Sequence, residues 1–156
     1  MNSLIEQELP GTQELRDQLM DMISDHDLTY KLPGHNPTFG ELCEEMGQIQ
    51  QVYIHSFKTF QQDWGYRASQ LEATNRVASL KAWYKKLDAE LYEALNELSE
   101  DDVHNKQIDR GDELTVSPYV QFQVYREALL IFYAKASVYL KALEKHLTDQ
   151  WKGWIG

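Results

Sequence analysis

The stretch from Thr38 to Phe60, TFGELCEEMGQIQQVYIHSFKTF, leaves the fewest options for how this chain can fold. Thr38 with Glu41 three residues on is a capping box, in which the threonine hydroxyl accepts from the Glu41 amide and the glutamate carboxylate accepts from the Thr38 amide. A helix therefore starts here, and the pattern carries it to about Gln62. Leu42, Met46, Ile49, Tyr53, Phe57 and Phe60 recur at spacings of three and four, so they form one stripe that must be buried against something else.

The rest of the chain supplies the partners. From Thr12 to Ser24, Leu15, Leu19, Met22 and Ile23 keep helical spacing, and Leu4, Ile5 and Leu9 extend that helix past a kink at Pro10. Asp25 to Pro37 is a punctuated connection tacked to the core by Leu28, Tyr30 and Leu32. A turn at Asp63 to Tyr66 leads to a third helix starting near Asn75, with Val77, Leu80, Trp83, Tyr84, Leu87, Leu91, Leu95 and Leu98 as its stripe. The polar run after Ser99 reads as one helical turn, Ser99 to Val103. A short extended pair follows, Lys106 to Ile108 and Glu113 to Val116, around Arg110-Gly111-Asp112.

Ser117-Pro118 then starts the last long helix, with serine as N-cap and proline at the first helical position. It runs to about His146 on Phe122, Tyr125, Leu129, Phe132, Ala136, Tyr139, Leu140 and Leu143. Trp151, Trp154 and Ile155 in the tail need a partner surface, either the end of the core or a second chain. Four one-sided helices hide their stripes by packing into a bundle, and the fold class expected is all-α, as one domain over residues 1–156.

Composition narrows the function. The formal net charge of −10, with 15 Lys plus Arg against 25 Asp plus Glu, opposes binding to phosphate backbones, so no nucleic-acid partner is expected. No apolar run reaches the roughly 18 residues of a membrane span and the acidic start lacks a signal-peptide pattern, so the expected setting is cytoplasmic, with no membrane partner. The one cysteine, Cys43, forms no internal disulfide, agrees with a reducing compartment, and reads as a small buried hydrophobe.

Chemistry-bearing motifs are scarce. His26, His35, His55, His104 and His146 form no i, i+4 pair of the kind that holds a metal from one helix, and no zinc signature occurs. Neither a nucleophile elbow nor a Gly-rich phosphate loop is present. The adjacent carboxylates Glu44 and Glu45 remain. Helical geometry puts Glu45 roughly 60–70° from the centre of the stripe, borderline buried, with Glu44 toward solvent. Glu45 is thus either a boundary glutamate that reaches water or a lysine, or an acid in a partly apolar pocket.

The run DHDLTYKLPGHNPTFGELCEEM, the segment LNELSEDDV, the turn QIDRGDELTVS and the closing VYLKAL resemble, in order and spacing, the DinB-like (DinB/YfiT) bundle proteins, over roughly Thr12 to Leu143. That resemblance implies an up-down-down-up four-helix bundle, often a homodimer, of a damage-inducible type. Many such proteins hold nickel or zinc on three histidines, one on the second helix and an HxxxH pair on the fourth, and relatives include metal-dependent thiol transferases.

This sequence departs from the pattern at each ligand. Aligning TFGEL puts the first ligand position at Glu45, and aligning Tyr139-Leu140-Lys141 puts the pair at Ala128 and Phe132. A frame shifted by one gives Glu127 and Ile131, but Glu127 lies about 160° from the inward stripe. A carboxylate, a methyl group and a benzyl ring are not a metal donor set. Lys135 is the expected partner of Glu45.

Three readings follow. The favoured one is a small-ligand-binding or non-catalytic bundle with pocket residues Glu45, Ala128, Phe132 and Lys135, no metal and no cofactor. The alternative is a metal-dependent thiol transferase or hydrolase using nickel or zinc. The third is a structural role through dimerisation, with the tryptophan tail as the contact.

Overall fold

The computed structural model describes residues 1–156. Its long helices are α1 (Glu14–Met22), α2 (Phe39–Thr59), α3 (Val77–Asn96) and α5 (Pro118–Ala142). Two short helices complete the set, α4 (Glu100–Asn105) and α6 (Asp149–Trp154). A two-residue antiparallel pair, β1 (Ile108–Asp109) and β2 (Thr115–Val116), joins α4 to α5 in the register Ile108 opposite Val116.

Local chemistry fixes the helix starts. Thr38 accepts from the Glu41 amide at 3.1 Å while Glu41 Oε2 accepts from the Thr38 amide at 2.7 Å, so both arms of the capping box form. Ser99 and Asp102 build a second capping box at α4, where the sequence suggested a single turn. Ser117 caps α5 with Pro118 inside its first turn. The helix ends are shorter than periodicity predicts, because backbone geometry intervenes: Phe60 closes α2 in the left-handed region at φ 59°, and the chain leaves α5 at Leu143.

The N-terminal segment differs from the expected extension of α1. Leu4–Glu8 is a separate π-helical turn, divided from α1 by a bend at Pro10 and Gly11, which takes φ 82°. Asn2 anchors it, its side-chain amide donating to the Leu95 and Leu98 carbonyls at 2.6 and 2.7 Å and so capping the end of α3.

α2 is the central element and packs against both α3 and α5, while α1 lies on α3 and α4 on α5. One core cluster joins them, built from all the stripes read in the sequence. Ile49, Val77, Phe60 and Leu143 sit at its margin, half-buried, and Met20 replaces Met22 inside α1. The connection after α1 is tied down by the Tyr139 hydroxyl, which donates to the Pro37 carbonyl at 2.6 Å, and by Phe39 stacked on Tyr139.

The connection from Phe60 to Arg76 is longer than the turn expected there. It folds over one face of α2 and α3. Gln51 Oε1 accepts from the Ala68 and Ser69 amides at 2.9 and 2.7 Å, and the Trp83 indole donates to Ser69 Oγ at 2.9 Å. Trp151 closes the far end of the core, fully buried, its indole N–H donating to the Leu15 carbonyl at 3.0 Å. Trp154 remains 70% exposed, so only one of the two tail tryptophans enters the core. No helix is long and apolar enough to cross a membrane.

Candidate functional site

α2 and α5 run side by side and leave a cleft of about 180 Å³ between them. Leu42, Glu45, Met46 and Ile49 line it from α2, and Ala128, Ile131, Phe132 and Lys135 from α5. The four residues singled out in the sequence, Glu45, Ala128, Phe132 and Lys135, therefore share one depression. The i, i+3, i+4 spacing on each helix makes this unavoidable once the two stripes face each other. Phe132 and Met46 form the buried floor, Ala128 is half-buried, and Glu45 and Lys135 stand exposed at the rim.

Two expectations need correction. Glu45 is exposed rather than borderline buried, while Glu44 is the half-buried member of the pair. The reason is tertiary: the loop over residues 60–76 crosses the Glu44 side, where Arg67, Ser69 and Leu71 join Glu44 and Trp83 around a shallow depression, while the α2–α5 side stays open. Nor do Glu45 and Lys135 form an ion pair, since the salt bridges of the chain all involve other residues.

The cleft does not fit nickel or zinc. Such ions need three or more nitrogen, sulfur or oxygen donors converging on a point. Here one carboxylate at the rim faces a methyl group and a benzyl ring, and no group of three His, Cys, Asp or Glu side chains anywhere is arranged to hold an ion. The histidines are dispersed: His55 stacks on Tyr66 at 3.9 Å, His104 contacts Glu100 at 3.0 Å, and His26, His35 and His146 are exposed. Cys43 is fully buried, and burial pushes its thiol up to about 12, so it stays protonated and unreactive at neutral pH.

A second polar constellation, which the sequence reading missed, lies in the interior. Arg16 on α1 is fully buried. Its Nη2 donates to both carboxylate oxygens of Asp88 on α3, at 2.6 and 2.5 Å, and its Nη1 donates to Gln50 Oε1 on α2 at 2.6 Å. Gln50 in turn donates to Asp88 at 2.9 Å, and the guanidinium lies 4.2 Å from the centre of the Tyr84 ring.

Burial acts to lower the Arg16 pKa, but the charge and hydrogen bonds of Asp88 oppose it, so the net shift is upward and the charge is fixed. Burial also raises the hydroxyls of Tyr84, Tyr125 and Tyr133 around it, which keeps them neutral. The network ties three helices together, and its Asp88 carboxylate, 34% exposed, is the part that reaches solvent. A sequence signal did exist: Arg16, Leu19, Met20 and Ile23 keep i, i+3, i+4, i+7 spacing, and Gln50 stands on the stripe between Met46 and Tyr53.

This arrangement of packed helices is an all-α bundle of the DinB-like fold. A solved structure of a DinB-like protein from Bacillus subtilis, YjoA, superposes with a TM-score of 0.70 over 90% of this chain and 91% of that one, at 16% identity. At that identity the likeness is one of fold. No protein-family model matches the chain. Nor does any curated protein.

Proposed function

We propose that this protein is a non-catalytic DinB-like bundle whose α2–α5 cleft binds a small organic ligand. The observation that carries the reading is the lining of that cleft: apolar walls and floor, with one carboxylate and one ammonium at the rim and no donor set for a metal. Apolar walls with a few placed charges suit a ligand with a hydrocarbon body and a polar end. At about 180 Å³ the space lies below the roughly 300–1,000 Å³ of drug-sized sites, which favours a short molecule. The reading sets the protein in the cytoplasm, which its acidic charge and its single buried cysteine support. The sequence resemblance further supports a homodimer as the working unit.

Chemical-shift titration of the isotope-labelled protein with hexanoate and hexylamine tests the proposal. Saturable shifts should centre on Ile49, Ala128 and Phe132 and vanish in Ala128→Trp, which fills the space. Absence of saturable shifts there with either probe, at concentrations up to about 10 mM, would rule the site out for this class of ligand.

A further inference from the structure

A second cavity lies on the far side of α5 from the α2–α5 cleft. Arg126, Leu129, Leu130 and Tyr133 line it, and they centre about 160° around the helix from the cleft residues Ala128, Ile131, Phe132 and Lys135. Its volume is about 230 Å³. Local backbone chemistry opens the space: Pro10 and Gly11, the latter at φ 82°, break the line between the turn Leu4–Glu8 and α1, and the bend itself forms one wall.

Leu15, Leu129 and Tyr133 are buried and give the cavity an apolar floor, while the largely exposed Trp154 forms part of its wall. That indole is carried by a docked helix rather than a loose tail. Thr148 Oγ1 donates to Gln18 Oε1 at 2.6 Å at the start of α6, and the Gly156 carbonyl accepts from Ser137 Oγ at 3.0 Å just beyond its end. Three charged side chains line the space. Arg126 is taken by Glu8, with Nη1 donating to Oε2 at 2.6 Å. Glu14 is exposed and takes part in no ion pair of the chain, and the one side chain that donates to it is Gln150, through Nε2 at 3.3 Å. The lining thus carries one uncompensated negative charge together with an exposed indole.

We propose that this cavity binds a small organic cation, a protonated amine on a short aromatic or alkyl body, with the ammonium at the Glu14 carboxylate and the Trp154 ring and the body on the Leu129 and Tyr133 floor. Indole presents the best cation–π face among the side chains, and a carboxylate without a counter-ion is a charge-assisted acceptor. The same lining rejects anions, since a ligand carboxylate would meet Glu14 and find Arg126 already donating to Glu8. A neutral ligand gains only the apolar contacts and leaves Glu14 unpaired. This cavity and the α2–α5 cleft share no residue, so the inference does not rest on the ligand reading of that cleft.

Chemical-shift titration of the isotope-labelled full chain with phenethylamine and with phenylacetate provides the test. The amine should give saturable shifts of the Trp154 indole N–H and of the Leu129 and Leu130 methyl groups, and the acid should give none there at up to about 10 mM. Trp154→Ala and Glu14→Gln change exposed side chains, so the helical circular-dichroism spectrum should stay as it is while each weakens amine binding about fivefold. Raising the salt from about 50 mM to about 500 mM should weaken binding to the wild type and leave Glu14→Gln nearly unaffected. Ala128→Trp, which fills the α2–α5 cleft, should bind the amine at Trp154 as the wild type does, so the failure of one site is distinguishable from that of the other. Absence of saturable shifts at Trp154, equal binding of phenylacetate, or an affinity indifferent to both Trp154→Ala and Glu14→Gln would overturn the proposal.

Discussion

Arg16 shows most clearly how one residue can organise the interior. A guanidinium taken out of water is tolerable only if its donors are met, and Asp88, Gln50 and the Tyr84 face meet nearly all of them, leaving only Nε without a partner. Arg16→Ala strands Asp88 and Gln50, and removal of one partner of a buried pair typically costs ~3–5 kcal/mol. Because the Asp88 side chain keeps 34% of its exposure, the lower end applies, and urea denaturation should show a loss of about 3 kcal/mol.

Asp27 gives a prediction in pH at the same scale. Burial pushes its carboxyl up, but hydrogen bonds from Lys145 and Ser24 outweigh this and hold its pKa below the ordinary carboxylate value. A depressed folded pKa means stability that is present above the unfolded value and lost as pH falls through the folded one. Wild-type stability should therefore drop below about pH 4 by more than that of Asp27→Asn. Denaturation midpoints of the two proteins between pH 2 and pH 7 check the sign, and parallel curves would contradict it.

At the scale of single elements, α2 owes its start to the capping box and its close packing to missing side chains. Thr38→Ala should lose about 1 kcal/mol of stability by urea denaturation. Gly47 faces the Trp83 ring so closely that an added Cβ would stand 2.2 Å from it. Alanine favours a helix over glycine by about 1 kcal/mol, yet Gly47→Ala should destabilise by about 1–3 kcal/mol, because the clash with an aromatic ring wins.

What could be read from the chain divides along this line. The starts of α2 and α5 and the inward stripes were legible, since capping and periodicity are local. The burial of Arg16 was not, because a charged residue on a stripe looks like its polar edge until Asp88, 72 positions away, is brought beside it. Glu45 and Glu44 exchanged exposure for a similar reason: helical angle gives direction, but the loop over residues 60–76 decides which side is covered. That Glu45, Ala128, Phe132 and Lys135 line one cleft follows from periodicity alone, since facing stripes bring their i, i+4 positions together.

For the molecule as a whole, the tail separates stability from association. Trp151 seals the core edge-on against Tyr133, with ring centres 5.6 Å apart, whereas Trp154 lies mostly in water. Trp151→Ala should cost about 3–5 kcal/mol, and Trp154→Ala should stay within about 0.5 kcal/mol of wild type. The functional account rests on hydrocarbon from α5 facing a lone rim carboxylate from α2. Isothermal titration of the purified protein with nickel and with zinc tests this most directly. The account predicts no saturable one-to-one binding of either ion, in the wild type or in Glu45→Gln. A tight stoichiometric isotherm that Glu45→Gln abolishes would contradict it.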